Sequence, residues 1–570
     1  MPTMSQVASL AKKKQFLAAA DCALEVARSI QSQKEQGREL YQSFGAAAKF
    51  FHMGGDVPRA LIAFDRCFEL FDQVLRKQDS AIFAVQHLRT WPELFSRAAF
   101  AALDARRPEQ AVRYAELGRA RLVGSLFRTA IGSEHDDLAS YRRELNKLTL
   151  QLASRAFADE SASNEERATA DELRVRRRRL LESGFAEEHL TLASRWCVPN
   201  DVPDRLAHAG RKTAVLYAIA LDDSIRLVFI DQHGYRELPL DDSVVVTSAL
   251  RILSQKTQQA SLERPNNLSA QLEASFQSAN EVIAPRWQKA LHVVLGEGGL
   301  DRLLWIPHGP MVQFPLGVLS TREGALGSRV ALQIAPSLGI GMDVLTDDEV
   351  LVPRVRAIEG PDGEGVTRGG EILAQGLSEV LVTHQRAPDL AALRRVAAGA
   401  NFVLVSCHGV FNWRRPFETR LRLDADLTLL DIASAQLFDD HTLVLLNSCD
   451  AGTVAQSTIN EAIGVPPALM AAGAHCVIGA SQPVSALAAA VFSHLAIAGL
   501  ARGVASPEAV QLATSRLRQI RRREVRELLS DLKHPLAERS PKSAGHLAAF
   551  DRIVDFGVFQ HWGAGWQAAR

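Results

Sequence analysis

A chain of 570 residues exceeds what one hydrophobic core supports, so two or more domains are expected. Its 47% apolar and 23% charged residues are those of an ordinary soluble globular protein, with neither Gly nor Pro in excess. Lys and Arg number 65 and Asp and Glu 65, and a formal charge of zero argues against non-specific nucleic-acid binding by the whole protein.

The N-terminal "MPTMSQVASLAKKKQF" has no apolar signal core. From residue 7 to 130 the chain reads as helix after helix, with alanine, leucine and phenylalanine recurring three and four apart. "GGDVPRALIAFDRCFELF" and "ARRPEQAVRYAELGRARL" echo each other. Each has a turn, then a small residue on a new helix (Ala60, Ala111), then an aromatic (Phe64, Tyr114). The small residue lets two helices of a hairpin approach, and the aromatic fills the groove to the next hairpin. The pattern resembles the tetratricopeptide repeat, with a spacing of 51 residues rather than the usual ~34. Residues 1–132 are therefore expected to be TPR-like helical repeats. Residues 133–205 are highly charged and predict a helical hairpin or linker. The run Arg176–Arg179 is expected to be a solvated helix face answering nearby carboxylates.

Beyond residue 210 the character changes. "TAVLYAIALDDSIRLVFIDQHG" alternates and is β-branched around an Asp-Asp-Ser turn, which predicts a hairpin. A helix follows over 269–296. Short apolar runs come next: "RLLWIPHGP", "RVALQIAPS", "VRAIEGP", "NFVLVSCHG", "HTLVLLNSCD" and "HCVIGASQPV". Helical patterns separate several of them, at Gly370–Leu377, Pro388–Ala397, Glu461–Ala472 and Ser485–Arg502. This alternation predicts a mostly parallel sheet with helices on both faces. The most apolar stretch, 486–501, contains His494 and is short for a membrane span, so a buried helix is expected.

The six cysteines (Cys22, Cys67, Cys197, Cys407, Cys449, Cys476) are far apart and form no CxxC pair. That spacing suits neither a disulfide framework nor a zinc ribbon, and a reduced, cytoplasmic protein is expected. Two lie at strand ends, where open parallel sheets build their sites. Ser406-Cys407-His408-Gly409 closes one strand, and Ser448-Cys449-Asp450-Ala451-Gly452 closes another. A thiol attacks only as thiolate, and an imidazole beside it takes the proton and later returns it to a leaving amine. The amides of Gly409 and Cys449 could serve an oxyanion. Cys407 should point away from His408 and into the core. A zinc set of Cys407, His408, Cys449 and His475 lacks close pairs along the chain, so no metal is expected. "GEGVTRGGE" (363–371) lacks the spacing of a phosphate loop, and no cofactor is expected.

The ordered set is specific. His408-Gly409 follows an apolar strand; Asn447 to Gly452 follows another; then come Glu461-Ala462-Ile463-Gly464, Ala472-Gly473-Ala474 and a strand running to Gln482-Pro483-Val484. Together they resemble the CHAT domain, a branch of the caspase–separase cysteine peptidases often found behind tetratricopeptide repeats. "LLWIPHGPMVQFPLGVL" (303–319) resembles a further family segment, with His308 where Asp is common. "AELGRARLVGSLF" (115–127) resembles the helical stretch that precedes the domain.

The resemblance covers about 210–567, and residues 206–570 are taken as the caspase-like peptidase domain. It implies a cysteine endopeptidase with Cys449 as nucleophile, His408 as general base and acid, and Gly409 and Cys449 amides as the oxyanion hole. Asn447 and Asn460 stand where basic-specific relatives often carry Asp, so cleavage after Arg or Lys is not carried over. The implied partners are a protein substrate, which in bacterial antiviral or cell-death pathways includes gasdermin-like pore formers, and a regulatory protein or ribonucleoprotein complex bound to the repeats. The alternative is a catalytically inactive scaffold acting through the repeats.

Overall fold

Small residues set how closely the N-terminal helices pack. The computed structural model describes residues 2–568 apart from 33–36, 78–91, 120–135, 158–160, 184–200, 264–267, 297–298, 346–348, 361–382, 387–388, 414, 425, 440, 449–451, 457–461, 532–548 and 551–556. Among the described residues six helices open the chain: α1 (Met4–Lys12), α2 (Phe16–Ser32), α3 (Arg38–Met53), α4 (Val57–Lys77), α5 (Pro92–Asp104) and α6 (Pro108–Leu117). Helices α2, α3 and α4 pack in succession, as do α5 and α6. Ala60 and Ala111 are fully buried where these helices meet. Phe64 and Tyr114 face each other with ring centroids 6.4 Å apart. The Tyr114 hydroxyl donates to Asp65 at 2.5 Å, so the ring buries its area without stranding its polar tip.

Helices α7 (Asp136–Phe157) and α8 (Asn164–Glu182) form a hairpin. The Ser163–Glu166 capping box starts α8 by satisfying two of its free backbone donors. Arg176 reaches Glu144 on α7 at 3.2 Å, as a solvated charged face would. Arg177 departs from that expectation. It is buried, because α8 turns Leu173, Arg177 and Leu180 to the same side, three and four residues apart.

The helices are fastened to the strands that follow through buried polar contacts. Glu116, at the end of α6, accepts from the Tyr217 hydroxyl at 2.7 Å and from the Gly339 N–H at 3.1 Å. Arg119 lies 4.2 Å over the Tyr217 ring and donates to the Ala218 carbonyl. All three side chains are buried.

Among the described residues eleven strands form one sheet. In chain order they are β1 (Thr213–Leu221), β2 (Ser224–Asp231), β3 (Gly234–Leu238), β4 (Arg302–Ile306), β5 (Ala331–Ile334), β6 (Val355–Glu359), β7 (Thr383–Arg386), β8 (Phe402–Ser406), β9 (Thr442–Asn447), β10 (Ala474–Ala480) and β11 (Phe559–Gly563). Across the sheet the order is β7-β6-β8-β9-β10-β11-β5-β4-β1-β2-β3. From β7 to β10 every pairing is parallel, and from β11 to β1 every pairing is parallel again. The β10–β11 pairing is antiparallel, so the two blocks run in opposite senses. The β1–β2 hairpin turns at Asp222-Asp223, and β3 adds a further antiparallel strand.

Both faces are covered, as the unbroken apolar runs require. Val403, Val405, Val444 and Leu446 belong to the larger core, and Phe402, Leu404, Leu443 and Leu445 to a second core on the opposite face. Helix Ala486–Ala501 lies on that second face, capped by Ser485 and packed through Ala488, Val491, Phe492 and Ala496. Among the described residues no helix is long and apolar enough to cross a membrane.

The helix expected over Glu461–Ala472 is shorter. Ala462–Gly464 pairs as a strand with Val454–Gln456, and the helix runs Val465–Ala471. Pro466 and Pro467 explain its start, since proline is accommodated only in a helix's first turn. The Gly370–Leu377 helix and the 363–371 loop lie outside the described residues. Helix Ser243–Glu263 and strand β11 are present without having been expected.

Candidate active site

Strands β8 and β9 are parallel neighbours in register, with Ser406 opposite Asn447. The Cys407 N–H donates to the Asn447 carbonyl at 3.3 Å, which keeps the two strand ends together one residue further. Cys407 is buried with the larger core, its sulfur 3.8 Å from the Ser448 hydroxyl, as strand alternation predicts. His408 then opens a short strand, His408–Val410, which pairs antiparallel with Arg420–Arg422. Its side chain is half-buried and makes no hydrogen bond to a described residue. Gly409 is buried and lies opposite Leu421.

Ser448 is buried at the end of β9. Cys449, Asp450 and Ala451 lie outside the described residues, as does Asn460. The chain is described again at Gly452, whose N–H donates to the Ala480 carbonyl at 2.7 Å. A Cβ at Gly452 would stand 2.7 Å from the Ala480 carbonyl carbon, so only glycine lets the chain cross the end of β10 this closely. Thr453 fixes the crossing by donating its hydroxyl to the Ser481 carbonyl at 2.8 Å.

Three residues form a small apolar cluster of their own, separate from both main cores: Phe411, Trp413 and Ala455. The two rings meet edge to face, 4.7 Å between centroids. The cluster ties the segment that follows His408 to the ribbon that follows Gly452. Sequence reasoning passed over it, although two aromatics within five residues of a strand-end histidine were the available signal.

His475 begins β10, whereas His408 follows the end of β8, and the intervening strands are parallel. The two imidazoles therefore lie at opposite edges, and the four-residue zinc set is not brought together. His475 instead faces His441, ring centroids 5.4 Å apart. Burial, and then the neighbouring His441, press its pKa down to about 4. Among the described residues no group of three His, Cys, Asp or Glu side chains could hold a metal ion. His308 follows β4, where its Nδ1 accepts from the Ala220 N–H at 2.8 Å.

The family model described as the CHAT domain matches residues 278–564. No curated protein matches the chain. Among solved structures, the separase–securin complex of Saccharomyces cerevisiae at 2.6 angstrom resolution aligns at 10% identity with a TM-score of 0.45, covering 97% of this chain and 49% of that one. A second crystal structure of that complex, at 3.0 angstrom resolution, aligns at 9% identity with a TM-score of 0.43, covering 96% and 48%. The chain thus spans about half the length of these solved chains.

Proposed function

This chain belongs to the CHAT domain family, and on that premise we propose that it is a cysteine endopeptidase with Cys449 as nucleophile and His408 as general base and acid. The observation that carries the proposal is the parallel register of β8 and β9, with Ser406 opposite Asn447. In the sequence His408 comes two residues after the first, and Cys449 two residues after the second. Two such neighbouring strand ends can bring a thiol and an imidazole within reach of each other.

The chemistry follows from those two groups. His408 takes the Cys449 thiol proton, and the thiolate forms a bond to the scissile carbonyl carbon. The carbonyl electrons move onto oxygen, where the N–H groups of Gly409 and Cys449 would hold the negative charge. As the C–N bond breaks, imidazolium gives its proton to the departing amine. Water, deprotonated by His408, then attacks the thioester and breaks the C–S bond, restoring the thiol.

The substrate in this proposal is a protein, and residues 1–132 receive a regulatory protein or a ribonucleoprotein complex. Residues 133–205 link these repeats to the peptidase domain, 206–570. The buried contacts of Glu116 and Arg119 with Tyr217 give partner binding a rigid path to β1. Partner binding would shift the loops after β8 and β9 only through a higher affinity for their active arrangement. A cytoplasmic antiviral or cell-death role, with a gasdermin-like substrate, fits the family.

The test is co-expression with neighbouring genes, comparing wild type with Cys449→Ala for a cleaved protein. Labelling with iodoacetamide adds a direct readout. Selective modification of Cys449 that disappears in His408→Ala supports the enzyme. A Cys449 no more reactive than Cys22, whose thiol pKa burial pushes up, would favour a non-catalytic scaffold.

A further inference from the structure

The turns that join α1 to α2, α3 to α4 and α5 to α6 lie at one end of the helical array. Leu17 on α2 packs onto Gly54 after α3, where a Cβ would stand 2.6 Å from its methyl group. Arg59 on α4 reaches Asp21 on α2 at 2.9 Å, and His52 on α3 meets Asp104 at the end of α5 at 2.9 Å. Each turn passes once through the left-handed region, at Lys14 (φ 57°), Gly55 (φ 82°) and Arg106 (φ 59°).

The middle turn is built as stability asks. Gly55 adopts its positive φ without steric cost, and Asp56 caps α4 by accepting from the Arg59 N–H at 3.2 Å. The same two places 51 residues on hold Arg106 and Arg107. Arg106 takes a left-handed conformation that its Cβ disfavours, and Arg107 is the N-cap of α6 without a capping bond. Lys14 repeats the strain in the first turn, with Lys12 and Lys13 before it.

Residues that break local rules with no contact in return mark a surface kept for another purpose. Lys12, Lys13, Lys14 and Arg106 are exposed and ion-paired to no described residue. The carboxylates nearest along the chain are already engaged: Asp56 with Arg59, Glu109 with Arg113, and Asp104 with His52 and Arg226. Helix dipoles do not account for the excess, because each turn joins one helix's C-terminus to the next one's N-terminus and the two ends oppose each other. Between the first and middle turns two apolar side chains stand in the open. Leu17 and Met53 are each 41% exposed, beside the half-buried Phe16 and Phe50, whose rings stack at 6.4 Å.

An acidic partner answers the charge, and an apolar residue on it answers Leu17 and Met53. Both belong to an amphipathic helix whose apolar residues recur three and four apart with Asp or Glu beside them. A nucleic acid would offer phosphates to the lysines and nothing aliphatic to Leu17 and Met53. Single strands also stack on open aromatic faces, whereas Phe16 and Phe50 are stacked on each other.

We propose that this end of residues 1–132 docks an acidic, amphipathic helix of a partner protein, held by Lys12–Lys14 and Arg106 around an apolar contact at Leu17 and Met53. The inference rests on the reading of residues 1–132 as a partner-binding unit, and not on the peptidase chemistry.

The test uses the full chain and fluorescent peptides of about 20 residues, long enough to hold a helix, with leucines three and four apart on one face and Glu, Gln or Lys elsewhere. Anisotropy should show the Glu peptide binding at least ~10-fold tighter than the Gln peptide, and the Lys peptide weakest. The Glu peptide should bind at least ~10-fold more weakly to Lys13→Glu with Arg106→Glu, and to Leu17→Ser with Met53→Ser. Lys14→Gly and Arg106→Gly should weaken it too, while melting no lower than wild type, since glycine relieves the left-handed strain. If those glycine variants melt lower, the two side chains serve the fold and the proposal fails. If the Glu peptide binds no tighter than the Gln peptide, or binds the charge-reversed variant as well as wild type, this surface fails and the partner-binding reading of the repeats stands. If single-stranded RNA or phosphatidylserine vesicles bind tighter than the Glu peptide, and lose that binding in the charge-reversed variant, the protein assignment is overturned. Failure of the underlying reading would look different: cleavage of the co-expressed substrate with every other neighbouring gene removed.

Discussion

The two parallel blocks of the sheet end corresponding strands alike and use the ending differently. Counting outward from the β10–β11 junction, the third strand of each block is followed by His-Gly, at His408-Gly409 after β8 and at His308-Gly309 after β4. His308 is buried, with Nδ1 bonded to the Ala220 N–H at 2.8 Å. Gly309 has φ of 62°, and a Cβ there would come within 2.8 Å of the Ala220 side chain. The pair is a locked corner. His408 is half-buried and its ring is bonded to no described residue. The same dipeptide thus serves structure in one block, and in the other presents an imidazole without a partner among the described residues, which is what the proposed base requires.

Substituting the two histidines separately is the sharpest way to break that contrast. If the chain is the proposed peptidase, Cys449→Ala or His408→Ala should lower peptide cleavage by at least ~10^3-fold, as removal of a catalytic nucleophile or base does. His308→Ala should instead leave thiol labelling of Cys449 dependent on His408. Loss of cleavage with a normal melting temperature in His308→Ala would overturn the comparison.

The block carrying β1 and β4 is also where the N-terminal helices are fastened, which predicts the next largest effect. Glu116→Ala leaves the Tyr217 hydroxyl and the Gly339 N–H buried without their acceptor. Hydrogen bonds to a charged group are worth about 1.5–3 kcal/mol each, so denaturant unfolding should register a loss of several kcal/mol. Glu116→Gln, which keeps an acceptor oxygen at the same place, should recover part of it. If Glu116→Ala matches wild type, the helices are held by apolar contacts alone. His308→Ala itself should cost less, about 1–3 kcal/mol for the unpaired Ala220 N–H, read as a lower melting temperature.

Much of this architecture was legible from periodicity. Helix Ala486–Ala501 was expected as a buried helix over 485–502, because its small apolar residues and serine cap leave few alternatives. Six apolar runs became β4, β5, β6, β8, β9 and β10 for the same reason. The reversal between blocks was not legible, since a parallel strand looks alike in either sense and the reversal rests on β11. That strand, Phe559–Gly563, holds Gln560, His561 and a glycine, and carries no apolar run. The His408 and Cys449 segments stood out through reactive side chains at strand ends.

The smallest effect should come from the junction that separates the two blocks. His561 on β11 shares a hydrogen bond with Ser506 at 2.8 Å. Burial, then the nearby Arg302 and His475, press its pKa down to about 3. Unfolded, the same imidazole takes a proton near pH 6.5. Between about pH 3 and 6.5 the unfolded chain therefore binds more protons than the folded one. Its stability contribution is complete above that window and declines as pH falls, by about 1.4 kcal/mol per unit from this group alone. His475, with its pKa of about 4, adds in the same direction. Urea midpoints at pH 7, 6 and 5 should fall steadily in wild type, and more gently between pH 6 and 5 in His561→Gln. An unchanged slope in that variant would mean that His561 is charged in the folded chain, and that the two blocks meet across a solvated seam instead of a dry one.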